Sequence, residues 1–305
     1  MKQILKVTSS PHIKHPDTTS GVMLDVIIAL LPACAYGCII FGWQALLLLA
    51  TSVVSAVVSE YVWNLLLKKE NTIGDLSAVV TGLLLGMNLP PKLPLWMAAI
   101  GSMVAIIVVK QMFGGIGCNF ANPAITARIV LLVSFPAAMT SFIPPVNLDA
   151  VTSATPLMGA TSFGPTVKQL FFGMHSGCIG ETSAFLLLVG GIYLLIRRVI
   201  SPIIPFCFVG IVALLTLISG GSVALSVFGG GIMLGAIFMA TDYTTSPYTP
   251  WGKIIFGLGA GLLTCLIRYF GTYPEGVSFA ILFMNILTPY ISKWTRTKPF
   301  GGVKA

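Results

Sequence analysis

The chain has 305 residues, 56% of them hydrophobic and only 9% charged, with a mean hydropathy of +0.94. A water-soluble domain carries about 25% charged residues, so this composition excludes a water-facing globular protein and points to a polytopic membrane protein. The net charge of +8 is small and scattered, which argues against a nucleic-acid-binding surface.

The first 21 residues are polar and carry Lys2, Lys6, Lys14, His12 and His15. No short apolar core followed by a small-residue cleavage site is found, so no cleaved signal peptide is expected, and no lipidation signature is present. A membrane-spanning helix needs about 20 mostly apolar residues. Ten runs qualify as candidates: 22–41, 45–67, 73–89, 93–112, 122–139, 183–196, 200–218, 223–240, 254–269 and 277–291. Several are short or glycine-rich and are candidates for broken or re-entrant segments. The fold expected is all-α, with ten transmembrane helices in one membrane domain. Residues 1–139 form a first five-helix half, 140–182 a long external loop, and 183–305 a second five-helix half.

Positive charge sets orientation. With both termini in the cytoplasm, 13 of the 17 Lys and Arg residues face inward, Lys110 among them. Lys92, Lys168 and Arg268 then face outward, and Arg128 lies within a span. The two halves also look alike. The stretch Gly82-Leu83-Leu84-Leu85-Gly86-Met87-Asn88 followed by Pro94 matches Gly235 to Thr241 followed by Pro247. Five spans per half make the halves enter the membrane from opposite sides, the inverted-repeat pattern whose sites lie between repeats near broken helices.

Intramembrane ionisable residues are functional candidates by default. Asp25 sits in the first run, Asp75 opens the third, and Asp242 closes the eighth. Asp75 is equally a helix cap, and Asp242 equally an interfacial residue. The stretch Gly114-Gly115-Ile116-Gly117-Cys118-Asn119-Phe120-Ala121-Asn122-Pro123 opens the fifth run. It reads either as a capped, tightly packed helix start or as a ligand contact. In the second case glycine allows close backbone approach, and the Asn119 and Asn122 amides donate and accept along the edge of a flavin or quinone ring. No βαβ unit surrounds these glycines, so they are not a dinucleotide fingerprint. Asp149 to Leu157 in the external loop holds Thr152, Ser153, Ala154 and Thr155: an ordinary polar turn, or an accessible hydroxyl for modification. The six cysteines include no CxxC pair; Cys34 and Cys38 read as small buried hydrophobes. No metal site and no catalytic residue are expected.

Together these segments resemble the NqrB/RnfD family, the membrane subunits of ion-translocating NADH:quinone and ferredoxin:NAD oxidoreductases. The likeness is strongest to the RnfD branch and runs nearly end to end. It is carried by Ser10-Pro11-His12 with Asp25, by Gly74-Asp75 through Leu89-Pro90-Pro91, and by Asn119 to Ala124. The remaining blocks are Asp149 to Leu157, Gly180-Glu181-Thr182-Ser183, and Ala240-Thr241-Asp242-Tyr243.

The resemblance implies a flavin mononucleotide (FMN) attached as a phosphoester to Thr155, the last Thr of the stretch Thr152-Ser153-Ala154-Thr155, with Thr152 as a second candidate acceptor. Ser153 stands where the family usually has Gly. A separate flavin transferase would make the bond, with Ser153, Ala154, Glu181 and Thr182 beside the FMN. It also implies a non-covalent riboflavin in the bundle, near Asn119 and Asn122 and more weakly Asp75 and Asp242, the last two doubling as a cation path. The implied activity is electron relay from the outer FMN to riboflavin, coupled to Na⁺ or H⁺ transport. The partners implied are the other Rnf complex subunits: the flavinylated RnfG, the membrane proteins RnfA and RnfE, and the cytoplasmic RnfB and RnfC, in a prokaryotic plasma membrane. The competing expectation is a solute channel or transporter of inverted-repeat fold with no redox cofactor.

Overall fold

The computed structural model describes residues 18–142, 166–181, 183–271 and 276–296. Every regular element among them is helical. The first half begins with α1 (Thr19–Phe41) and α2 (Trp43–Leu66). Thr18 caps α1 by accepting from the Gly21 amide at 3.1 Å. Gly42, at φ 75°, ends α1 and starts α2, a left-handed corner that a residue with a Cβ resists. Then follow α3 (Ser77–Met87), α4 (Leu95–Met103, continuing as a π-helical stretch Val104–Gln111), α5 (Pro123–Ser134) and α6 (Pro136–Met139). The short α7 (Val167–Phe172) leads to a 3₁₀ turn at Ile179–Glu181. The second half holds α8 (Ala184–Ile196), α9 (Ile203–Ile218), α10 (Val223–Phe228) and α11 (Ile232–Leu234, continuing as a π-helical stretch Gly235–Met239). It ends with α12 (Pro250–Phe270) and α13 (Val277–Trp294).

At 1.5 Å per residue, α1, α2 and α12 each span roughly 30 Å or more, and these three are long and apolar enough to cross a membrane by themselves. Large apolar side chains stand on the outside of the bundle, including Ile39, Leu66, Phe206 and Phe270. A soluble monomer does not show such an apolar exterior; a lipid-facing one does.

Three of the expected spans are not continuous. Run 73–89 divides into a 3₁₀ turn at Ile73–Asp75 and α3, with Leu76 left-handed between them. Run 223–240 divides at Gly229–Gly231, where Gly230 and Gly231 both take positive φ. Run 122–139 is also cut, because Pro136 has no N–H with which to continue α5.

The two halves pack alike. Helix α2 lies against α3 and α4 as α9 lies against the Gly235–Met239 stretch and α12. Helix α5 lies against α4 as α13 lies against α12. Across the halves, first helix meets first helix (α1 with α8) and last meets last (α5 with α13). At the α1–α8 contact, Gly190 sits so close to the Ala29 carbonyl that a Cβ there would overlap it. Hydrogen bonds also cross. Asn88 Nδ2 reaches the Met239 sulfur at 3.3 Å, and Asn122 Nδ2 donates to the Met239 carbonyl at 3.3 Å.

Candidate functional site

The broken segments end around one cleft. Its walls come from α1 (Val22, Val26), α3 (Ser77, Val80, Thr81, Leu84), Lys110 on the π-helical end of α4, and Asn119, Asn122 and Pro123 at the start of α5. The second half supplies Leu194, Phe238, Thr241, Asp242, Tyr243 and Thr244. About 800 Å³ of non-atom space lies in and around the cleft, open solvent at its mouth included. A mostly apolar lining with a few convergent polar groups is the ordinary form of a small-molecule site.

Three of the four residues expected inside the bundle meet here: Asn119, Asn122 and Asp242 all line the cleft. Their roles differ. Asn122 is the N-cap of α5. Its Oδ1 accepts from the amides of Ala124 (3.0 Å) and Ile125 (3.3 Å), while its Nδ2 holds the Met239 carbonyl. Asn119 keeps a buried Oδ1 with no hydrogen-bond partner, an unsatisfied acceptor on a residue that lines the cleft. The glycine-rich loop before it needs its glycines, since Gly114, Gly115 and Gly117 take φ of 117°, 94° and 87°. Asp242 follows the π-helical stretch and accepts from the Thr244 amide at 3.2 Å and from the hydroxyls of Thr244 (3.1 Å) and Thr245 (3.3 Å).

Asp75 is not brought to this cleft. Its Oδ1 accepts from the Ser77 amide at 2.8 Å and the Ser77 hydroxyl at 2.6 Å, from just ahead of α3, whose N-cap position is taken by Leu76. It lines a separate polar cleft with Asn64, Thr72 and Gln111. Asp25 also stands apart. It is held by the Tyr193 hydroxyl at 2.8 Å and by Arg197 at 3.2 Å, in a polar pocket that shares Val22, Val199 and Tyr243 with the main cleft.

Between the main cleft and the polar cleft lies a cluster that the sequence pattern did not reveal. Glu60 on α2 is fully buried and Lys110 is 2% exposed. The Lys110 ammonium donates to Glu60 Oε1 (2.9 Å) and Oε2 (2.8 Å), and to the Ser77 hydroxyl at 2.5 Å. Glu60 Oε1 also receives Thr72 (2.6 Å) and Gln111 (3.0 Å). Lys110 is therefore not one of the surface charges of a cytoplasmic loop, as the orientation count treats it. Burial inside the bundle pairs it with Glu60. The rule that marks ionisable residues within apolar runs applies equally to Glu60 and was the available signal.

A second buried cluster joins the halves. Arg128 Nη1 donates to the Ser278 hydroxyl at 2.7 Å, and Nη2 lies 3.7 Å from the Cys178 sulfur and 3.8 Å from Glu181. Glu181, expected beside the external loop, is thus buried against α5. It also lies where a Cβ on Gly231 would come within 2.8 Å of its Oε1. The loop stretch with Thr152, Ser153, Ala154 and Thr155 lies outside the described residues, as does Thr182. No group of three or more metal-ligating side chains occurs among the described residues.

Comparison with known proteins places this architecture. The sequence profile of the NQR2, RnfD, RnfE family matches residues 6–301. The chain is 48% identical over 308 residues to the D subunit of the Na(+)-translocating ferredoxin:NAD(+) oxidoreductase complex of Acetobacterium woodii, covering 98% of this chain and 96% of that protein. It is 43% identical to the D subunit of the proton-translocating ferredoxin:NAD(+) oxidoreductase complex of Clostridium ljungdahlii, covering 98% of this chain and 97% of that one. It is 34% identical to the D subunit of the ion-translocating oxidoreductase complex of Actinobacillus succinogenes, with 98% of each covered.

Proposed function

The chain belongs to the NQR2, RnfD, RnfE family, and from that premise we propose that it is the RnfD component of an ion-translocating ferredoxin:NAD oxidoreductase complex. The near-complete match to relatives carrying that name supports this. The coupled ion is Na⁺ or H⁺, since one of these two relatives is named for each. The working assembly includes the other Rnf complex subunits, namely the flavinylated RnfG, the membrane proteins RnfA and RnfE, and the cytoplasmic RnfB and RnfC, in a prokaryotic plasma membrane.

We read the chain as ten membrane segments in two inverted halves, 1–139 and 183–305, with the 140–182 loop outside and both termini in the cytoplasm. The matched packing of the halves supports that reading. So does the position of the interrupted segments, α3 in one half and α11 with its π-helical continuation in the other. Interrupted helices at a repeat interface are where such folds place their sites.

The single observation that carries the cofactor reading is the cleft at that interface, with Asn119 and its unsatisfied acceptor in the lining. The lining suits a riboflavin in its chemistry: apolar walls for a flat ring, and the Asn119 and Asn122 amides for its polar edge. Asn119 and Asn122 would hold it, with Asp242 at the mouth, while Asp75 belongs to the neighbouring polar cleft and a cation path. Thr155 would carry an FMN as a phosphoester, made by a flavin transferase, with Ser153, Ala154, Glu181 and Thr182 nearest. When bound, the flavins supply the electron relay. The chain's own residues position the ring, exclude water from it and set the charge around it.

The test is in-gel flavin fluorescence of the denatured chain made with its transferase, with peptide mass mapping of residues 149–168 and riboflavin measured in the released fraction. A fluorescent band lost in Thr155→Val, a loop peptide heavier by FMN less one water, and one riboflavin per chain are expected. A dark band and an unmodified Thr155, with the transferase active on another substrate, would remove the covalent relay and move the solute-channel reading to the front.

A further inference from the structure

We infer that Lys110 is the charge that stabilises the reduced state of whatever electron carrier occupies the main cleft. This inference rests on the reading of that cleft as a flavin site. A buried ion pair is weak support for stability, because well-packed apolar residues of similar size do as well or better. The Glu60–Lys110 pair therefore calls for another account, and its placement supplies one. Lys110 lines the cleft; Glu60 does not, and is wholly buried. The carboxylate is held from behind by Thr72 and Gln111, and the ammonium by Glu60 and Ser77. The cleft therefore faces the positive end of a fixed, fully hydrogen-bonded dipole. A preoriented charge of this kind needs no rearrangement when negative charge arrives, and in a low-dielectric wall it acts more strongly than in water.

The backbone also marks the position. Lys110 sits on the π-helical stretch Val104–Gln111. The wider turn changes the direction in which side chains leave the helix, and such bulges collect at functional sites. Ser77 completes the arrangement: it accepts from Lys110 and donates to Asp75, so the Asp75 carboxylate and the ammonium share one hydroxyl.

The experiment uses the whole purified complex and reads the midpoint potential of the non-covalent flavin by spectroelectrochemical titration. Flavin content is measured first. Loss of riboflavin from the parent complex would strike the site reading itself, before any variant is considered. With riboflavin at one per chain, Lys110→Gln should weaken the reduced state at least tenfold relative to the oxidised one, a fall of about 59 mV for one electron. Lys110→Arg, which keeps the charge, should hold the potential close to the parent's. If Lys110→Gln does not accumulate, the double variant Glu60→Gln/Lys110→Gln leaves no lone buried charge and takes the same readout. A fully loaded Lys110→Gln or double variant with the parent's potential would overturn the inference.

Discussion

The guanidinium of Arg128 donates to the hydroxyl of Ser278 at 2.7 Å, 150 positions away in the chain, and neither residue is more than 4% exposed. The bond fastens α5 to α13 at depth, where the last helices of the two halves meet. Arg128→Met should destabilise the fold by about 3–5 kcal/mol, because it takes the guanidinium away from the buried Glu181 carboxylate 3.8 Å from it. Arg128→Lys should recover only part of this, since one ammonium does not reproduce a planar fork directed at several partners. Thermal unfolding in detergent measures both. A parent-like Tm for Arg128→Met would show the contact to be dispensable.

The two asparagines of the cleft should separate folding from binding. Asn122→Ala removes the α5 cap and should cost about 1 kcal/mol or more. Asn119→Leu leaves that cap intact and fills the place of an unused acceptor. It should lose riboflavin, and its Tm should fall no further than that of the parent stripped of the flavin. Chromatography of the released flavin, run beside the melting curves, decides. Riboflavin retained at one per chain in Asn119→Leu would take Asn119 out of the site.

Two glycine substitutions should act with opposite sign. Gly190→Ala puts a methyl group into the Ala29 carbonyl and must push α8 away from α1. Gly210→Ala, within α9, meets nothing within 4 Å and should stabilise by up to about 1 kcal/mol through helix propensity alone. Size-exclusion profiles after a heating series would compare them directly. Equal tolerance of the two would mean that α1 and α8 are not in tight contact.

Acid should loosen the region before α8. His175 is buried, and burial pulls its imidazole from 6.5 down to about 4. The unfolded chain then binds a proton that the folded chain refuses between those values. Stability is complete above about pH 6.5 and falls as pH drops toward 4, by about 3 kcal/mol at its limit. His175→Gln should flatten this part of the pH–Tm curve. An unchanged slope between pH 7 and 4.5 would assign the acid sensitivity to other groups.

The helical class, the membrane composition and the Asn119–Asn122 helix start were all legible in the sequence, because hydropathy, glycine content and capping are local signals. The interruptions were legible only in part. Glycine at 229–231 and proline at 136 announce breaks, but nothing in Leu76 announces a left-handed residue before α3. The charged clusters were not legible, because their members lie far apart in the chain: Glu60 and Lys110 by 50 positions, Arg128 and Ser278 by 150. A charge at the end of an apolar run reads as a loop residue until its partner is known, which is how Lys110 entered the orientation count. Asp75 shows the converse: an acid at a helix start reads as a cap, yet Asp75 holds the Ser77 amide from one residue ahead of the N-cap position, which Leu76 takes.

The seam around the Ile179–Glu181 turn constrains how this chain can vary. A Cβ on Gly180 would stand 2.7 Å from the Met87 Cβ, and one on Gly37 would stand 2.8 Å from the Ile179 carbonyl oxygen. Neither position can enlarge while its neighbour keeps its size and place. At Gly180 the Met87 carbonyl oxygen stands 3.0 Å from the added Cβ as well, so a smaller residue at Met87 does not by itself clear the place. At Gly37 the obstacle is backbone, and no side-chain exchange can make the room.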